Sequence, residues 1–282
     1  MSLMKSDPFG DKKKPLAGLG SVVSGVFHRA LVRPTVWKTI DFPSNDAAIS
    51  CSTRLFKLAL APENGVVPDF KPGQFVYLSF PGRGILASPR PFTIASSPTE
   101  KRFIEILAKD TGDWSGNAKT LGIKTPALIW GPYGTFSYLQ APGSGRFVFL
   151  AGGIGGAPFL SMLRYMTDAD RDARVLFIWG ARTRDDMAEK EAILRAGERM
   201  SGFRFVPVLS HDPRWAGEHG RVDREKIERL VPAFFGFASD EFEWNSASYR
   251  LCGPRDFARD LGEILRDNGV KSAAIHSQSF NR

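Results

Sequence analysis

The sequence predicts two domains in tandem: an antiparallel β-barrel, followed by an α/β domain built on a doubly wound parallel sheet. Three observations carry this. Residues 35 to about 141 hold short strand-like runs broken by turn residues. After "APGSGR", strand-like and helix-like segments alternate. The first turn of that second half is the glycine-rich "LAGGIGGAPF". A length of 282 residues suits two domains of roughly 150 residues each.

In the first half the expected strands are "TVWKTI", "TRLFKLAL", "GQFVYLSF", "RPFTIAS", "RFIEILAK" and "ALIWGPYGTF". Pro72-Gly73, Pro81-Gly82 and Gly131-Pro132 mark breaks between them. Many short strands at this spacing imply a barrel or sandwich. In the second half, "FVFLAG", "RVLFIWG", "FRFVPVLS", "SYRLCG" and "SAAIHS" read as strands. Helices are expected over "PFLSMLRYMTDA", "DDMAEKEAILRAGERM", "DREKIERLV" and "RDFARDLGEILRDNG". Such alternation builds a parallel sheet, which binds ligands at the carboxyl ends of its strands, at a topological switch point.

Gly152, Gly153, Gly155 and Gly156 stand between a strand and a helix. Glycines let the backbone approach an anion, and the helix start offers free N–H groups to a pyrophosphate. The competing reading is a tight turn with no ligand.

Composition excludes several classes. No run of about 18 apolar residues exists, so nothing reads as a membrane span. Cys51 and Cys252 stand far apart and make neither a disulfide framework nor a thiolate cluster. The four histidines lack metal-ligand spacing, so no metal site is expected. A reducing, cytoplasmic setting is the default. The net charge is +8. Residues 1–38 carry seven basic against two acidic residues, a net +5. No zinc finger or RNA-binding signature accompanies this charge, so nucleic acid ranks last among partners.

The segments "RPFT", "GDWS", "GPYGTF", "AGGIGGAPF", "WGARTRD" and "LCGP" occur in one order. In that order the chain resembles the ferredoxin–NADP reductase superfamily over about residues 50 to 280. Within it, the resemblance is to the FAD/NAD(P) module of bacterial ferric-reductase-like and NADPH-oxidase-like proteins. It implies an FAD-binding barrel domain over 35–142 and an NAD(P)-binding α/β domain over 146–282; residues 1–34, ahead of them, read from their own charge and periodicity as a basic amphipathic arm.

The resemblance also implies roles. Arg90 would pair with the FAD pyrophosphate by charge-assisted bonds, with Pro89 and Pro91 fixing the backbone. Phe92 would lie against the isoalloxazine, on the same strand face as Arg90. Relatives often carry Tyr at this position, whose hydroxyl Phe92 lacks. Thr93 would hydrogen-bond near flavin N5. Ile106 to Ala108 would give backbone contacts, with Lys109 aiding charge balance. Gly112 would let the protein backbone approach the phosphate closely, and Ser115 would offer it a hydroxyl and an N–H at a helix start. A plain helix cap is compatible with that role.

For the dinucleotide, Gly152, Gly153, Ile154, Gly155, Gly156, Ala157 and Pro158 would hold the pyrophosphate. Cys252, Gly253 and Pro254 would flank the nicotinamide, Cys252 shaping hydride transfer. The alternative for Cys252 is a buried structural cysteine. Arg182 and Arg184 would reach the adenosine ribose or a 2′-phosphate, leaving NADH and NADPH both open. Asp185 and Asp186 would instead cap the next helix. Phe280 either shields the flavin or packs on the sheet.

The implied activity is an FAD-dependent NAD(P)H oxidoreductase of the ferredoxin–NADP reductase type. Hydride would pass from nicotinamide to flavin N5, then electrons to a separate heme or iron–sulfur protein. Two competitors are a free-standing reductase of small acceptors and a flavin-bearing subunit without turnover of its own. Residues 12–31, "KKKPLAGLGSVVSGVFHRAL", place Leu16, Leu19, Val22, Val23, Val26, Phe27, Ala30 and Leu31 on one helical face. This segment is expected either to be a floppy or core-docked arm, or to form a helix that sits on a partner or peripherally at the inner face of an anionic membrane. Residues 234–244, rich in aromatics, are expected to pack in the core.

Overall fold

The computed structural model describes residues 34–40, 55–140, 145–169, 173–187 and 190–280. The arm and Cys51 lie outside the described residues.

Six strands form the first sheet: β1 (Thr35–Ile40), β2 (Leu55–Pro62), β3 (Phe75–Ser79), β4 (Arg90–Thr93), β5 (Ile104–Lys109) and β6 (Pro126–Tyr133). A short helix, α1 (Asp113–Ala118), sits between β5 and β6. The strand order is β4-β3-β6-β1-β2-β5, with every pairing antiparallel. The two end strands meet through a bridge between Ile94 and Ile106, so the sheet curls into a nearly closed barrel. Closure protects edges that would otherwise present unpaired backbone. Trp37, Phe56, Leu58, Leu60, Leu78, Ile94 and Ile106 point inward, as alternation requires, and fill the barrel.

The second half holds β7 (Arg146–Gly152), α2 (Ala157–Ala169), β8 (Arg174–Ala181), α3 (Lys190–Arg199), β9 (Phe203–Leu209), β10 (Glu218–His219), α4 (Arg224–Phe235), β11 (Ser248–Pro254), α5 (Arg255–Asp267) and β12 (Ile275–Phe280). Its sheet is wholly parallel, in the order β10-β9-β8-β7-β11-β12. The chain therefore runs outward from β7 on one side, then crosses to β11 on the other. β7 is buried on both faces. Phe147, Phe149 and Ala151 join one apolar cluster, and Val148 and Leu150 the other. This is why "FVFLA" is continuously apolar instead of alternating.

Leu55, Ala95 and Leu107 of the barrel, with Phe136 and Tyr138 of the exit segment, share a single apolar cluster with Phe159 and Leu163 of α2. The two domains are thus joined by a common core. Arg250, fully buried in β11, adds a tie by donating from Nε to the Ser137 carbonyl at 3.3 Å.

Four elements depart from the sequence reading. The helix expected over 185–200 begins at Lys190, because Asp186 closes a separate turn, accepting from the Thr183 N–H and hydroxyl at 3.2 Å each. The helix expected to stop at Val231 continues through Pro232 to Phe235. Proline cannot donate to the Glu228 carbonyl. The Ser239 hydroxyl donates to it instead, at 3.0 Å. The last strand runs over 275–280 in register with β11, and residues 272–274 form a 3₁₀ turn before it. The two-residue strand β10 was not expected.

The aromatics of 234–244 close the amino-terminal end of the sheet. Phe235 stacks on Phe242 at 5.4 Å, and Arg174 lies over Phe235 at 5.2 Å. Among the described residues no helix is long and apolar enough to cross a membrane.

Candidate active site

A cleft of about 880 Å³ opens between the barrel and the carboxyl ends of the parallel strands. Arg90, Pro91, Phe92 and Thr93 form one wall, from β4. Leu107, Ala108 and Lys109 enter from the end of β5, and Thr111 to Ser115 from the turn into α1. Ile154 and Ala157 come from the glycine turn, and Ser277 to Phe280 from β12. The structure therefore brings Arg90, Pro91, Phe92, Thr93, Ala108, Gly112, Ser115, Ile154, Ala157 and Phe280 to one cavity.

Arg90 is exposed, and Phe92 beside it is half-buried. Beneath Phe92 lies Trp114, with ring centroids 4.8 Å apart and planes 34° apart. Trp114 is a cleft residue that the sequence reading passed over, although it sits inside the quoted "GDWS". Phe75 and Tyr77 were also missed; their rings meet edge to face at 5.9 Å on the cleft wall.

Two buried polar atoms of the cleft residues, Thr93 Oγ1 and Trp114 Nε1, have no hydrogen-bond partner. Buried groups are rarely left so, and each carries a cost of about 1–3 kcal/mol unless something supplies a partner. Gly112 contributes a second sign. A Cβ built there meets nothing within 4 Å, so the glycine leaves open space in the turn facing the cleft. These features fit a polar, extended group such as FAD.

Ser115 is used differently from the simplest expectation. Its hydroxyl accepts from the N–H of Thr111 at 2.9 Å and of Gly112 at 3.1 Å, and donates to the Gly112 carbonyl at 2.8 Å. It locks the turn into α1. The Ile106 side chain is buried in the barrel core, and the cleft-lining run of β5 is Leu107 to Lys109.

The glycine turn shows two different needs. Gly153 has φ +55°, a left-handed conformation that glycine adopts without strain. Gly155 and Gly156 are required by packing. A Cβ on Gly155 would lie 2.1 Å from the Cys252 carbonyl oxygen, and one on Gly156 would lie 2.1 Å from the Trp179 ring. Gly152 and Gly253 are likewise crowded, each by the Phe257 ring. Pro158 is buried in the first turn of α2. The turn is thereby held against the end of β11 at the point where the strand order reverses.

Cys252 lies beside Ala151 across that switch point. It is fully buried, and burial pushes its thiol well above the ordinary range. Its side chain is not among the cleft-lining groups, so any influence on the cleft runs through the turn it supports. Gly253 is buried and Pro254 exposed, and Pro254 pairs with Phe280. Phe280 is half-buried, packs against the shared apolar cluster and borders the cleft.

Arg182 and Arg184 follow the end of β8, away from the main cleft. Arg182 is exposed. Arg184 Nε pairs with Asp212 at 2.9 Å, and its guanidinium lies over Trp215 at 5.9 Å. Arg184 beside Asp212 holds that carboxyl below its usual range. Asp212 and Trp215 carry no motif and were missed. Among the described residues no cluster of His, Cys, Asp or Glu suits a metal ion.

Comparison with known proteins follows the same division. Residues 45–137 match the family of FAD-binding domains, and residues 149–262 match the oxidoreductase NAD-binding domain. The reductase component of propane 2-monooxygenase from Rhodococcus jostii is 30% identical over 235 residues, covering 80% of this chain and 60% of that one. The reductase subunit of glycine betaine monooxygenase from Chromohalobacter salexigens is 28% identical over 219 residues, covering 75% and 56%. The chain thus spans somewhat over half the length of these relatives. A ferredoxin–NADP⁺ reductase from Neisseria gonorrhoeae, solved with FAD and NADP, superposes with a TM-score of 0.72 at 20% identity, over 88% of this chain and 98% of that one.

Fold and site together define a two-domain flavin and nicotinamide dinucleotide module. The chain belongs to the ferredoxin–NADP reductase superfamily, with FAD and a nicotinamide dinucleotide as its cofactors.

Proposed function

We propose that the chain is a reductase component: it takes electrons from NAD(P)H and delivers them to a separate oxygenase-type acceptor carrying heme or iron–sulfur. The observation that carries this reading is the single cleft in which the Arg90–Thr93 strand faces residues of the nicotinamide domain. The names of the monooxygenase relatives support the acceptor class. Bound FAD supplies the conversion between two-electron and one-electron chemistry.

The protein's part is binding, orientation and electrostatics. Arg90 meets the FAD pyrophosphate with a bidentate guanidinium. Gly112 leaves room for the phosphate chain. Phe92, backed by Trp114, gives an apolar plane for the ring system. Thr93 holds a hydroxyl at the strand end nearest the nicotinamide half. Gly152 to Pro158 seat the dinucleotide pyrophosphate. Cys252, Gly253 and Pro254 support the nicotinamide side, Cys252 as a positioning residue. Arg182 and Arg184 face the adenosine end, and Phe280 covers part of the ring. In this reading the flavin half covers 35–142 and the nicotinamide half 146–282. The basic, amphipathic sequence of residues 12–31 attaches the protein peripherally at the inner face of an anionic membrane.

The test is anaerobic mixing of purified, FAD-loaded protein with NADH or NADPH, followed at the flavin absorbance band. Rapid bleaching, then steady turnover with ferricyanide, is expected. A protein that neither retains FAD nor is bleached refutes the reading. Sedimentation with anionic vesicles, with and without residues 1–31, tests the membrane attachment; absence of binding at low salt overturns it.

A further inference from the structure

We propose that Arg164, with Ser161 and Asp168, forms a polar latch that sets the angle of the nicotinamide turn against the flavin strand. This rests on the reductase reading above. The three residues lie on one stripe of α2, at spacings of three and four. Each reaches the same short segment of the barrel. Ser161 Oγ donates to the Ser96 carbonyl at 2.7 Å. Arg164 Nη1 donates to the Ala95 carbonyl at 2.6 Å and to the Glu105 carboxylate at 2.8 Å. Asp168 accepts from Ser97 Oγ at 3.0 Å and from Thr99 Oγ1.

The connected parts are the ones that matter for chemistry. Residues 95–99 follow Phe92 and Thr93 after a single residue, Ile94, which is itself bridged to Ile106 of β5. They are tied to β5 as well, through the Ala95 N–H on the Glu105 carbonyl at 2.7 Å and the Glu105 N–H on Ser96 Oγ at 3.0 Å. β5 in turn runs to Leu107, Ala108 and Lys109 at the cleft. At the other end, α2 begins at Ala157, directly after the glycine turn.

The shared apolar core presses the domains together but leaves rotation cheap, because apolar contact is not directional. Hydrogen bonds prefer near-linear geometry and so fix an angle. From Arg164 back to Ala157 is seven residues, about 10 Å of helix. A tilt of about 6° at the latch would move the turn by about 1 Å, and a misplacement of that size costs on the order of a hundredfold in rate. The Arg164–Glu105 pair suits this task because it is sheltered: the side chains retain 22% and 8% exposure.

The experiment compares R164Q, R164K, E105Q and the R164Q/E105Q double variant with wild type, all as full-length FAD-loaded protein. Four quantities are read: FAD per chain, the limiting rate of flavin bleaching, its half-saturating NAD(P)H concentration, and amide hydrogen exchange of residues 95–99. R164Q should keep its FAD, keep half-saturation within about twofold, and lose about tenfold or more in limiting rate, with faster exchange at 95–99. The double variant should be no slower than R164Q, since the two residues act as one unit. A wild-type limiting rate in R164Q, or effects that add in the double variant, overturns the proposal. Loss of FAD or of folding in both R164Q and R164K assigns the residue to stability and also overturns it. If wild type binds FAD but is not bleached, the reductase reading falls separately, and unchanged exchange in R164Q still overturns the latch.

Discussion

Replacing Gly155 by alanine asks whether the glycine turn is held by the protein or by its ligand. The added Cβ would stand 2.1 Å from the Cys252 carbonyl oxygen and 2.5 Å from its carbon. Ordinary contact begins near 3.4 Å, so the turn and β11 must part by about 1.3 Å. Both neighbours are backbone, and β11 is pinned between β7 and β12. The turn must therefore move. Overpacking of this kind costs about 1–3 kcal/mol. The displacement also withdraws the dinucleotide seat from the flavin strand, which should slow flavin bleaching by about a hundredfold. FAD content should remain at wild-type level, because Arg90 to Thr93 and Gly112 to Ser115 lie in the other domain. Gly112→Ala is the counterpart. Its Cβ meets no protein atom, so the melting temperature of the FAD-free protein should not change, while FAD affinity falls. Thermal unfolding, FAD titration and rapid-mixing absorbance read these outcomes. Wild-type bleaching and stability in Gly155→Ala, or unchanged FAD affinity in Gly112→Ala, would refute the reasoning.

Three further outcomes are expected. Arg90→Ala should weaken FAD binding by at least tenfold, since a charge-assisted bond is worth about 1.5–3 kcal/mol; unchanged affinity by titration counts against the cleft as the FAD site. Arg182→Ala should raise the KM for NADPH more than for NADH, with a smaller contrast for Arg184→Ala because Arg184 is engaged by Asp212; equal effects on both dinucleotides would remove the 2′-phosphate role. Burial raises the Cys252 thiol from 9.0 and the Tyr249 phenol from 10.0, so the unfolded chain releases these protons first. Stability should thus be full below about pH 9 and fall as pH rises beyond it; Cys252→Ala should abolish the earlier part of that fall while slowing flavin bleaching, as followed by urea midpoints and rapid mixing.

Alternation and paired turn residues made the barrel readable. "TVWKTI" is strand β1 at the bounds expected, with Trp37 and Thr39 buried on one face and Lys38 between them exposed on the other. Strand β4 was readable as well, its Arg90–Thr93 lying inside the expected "RPFTIAS". Elsewhere long-range contacts decided the outcome. Nothing local in "LVPAFF" shows that Ser239 will satisfy the carbonyl that Pro232 leaves unpaired. Nor does "AGGIGGAP" distinguish a glycine needed for its φ from one needed because Cys252 or Trp179 lies against it. Trp114 was hidden because an aromatic in a turn reads as ordinary core, and only the fold sets it under Phe92. Asp212 lies 28 residues beyond Arg184, and β9 with its following loop brings them together.

The core shared between the barrel and α2 bears on how such reductases can be recombined. Exchanging nicotinamide halves between family members is attractive for changing dinucleotide preference, and residues 141–145 are the natural crossover. The junction, however, is not confined to those residues. A grafted half must present to Leu55, Ala95 and Leu107 a surface matched to that of Phe159 and Leu163, and must offer Glu105 a cation. A chimera joined only at the linker would expose mismatched apolar surface and strand the Glu105 carboxylate. The heritable unit is therefore larger than either sheet, and successful exchanges should carry β5 residue 105 and the 95–99 segment together with α2.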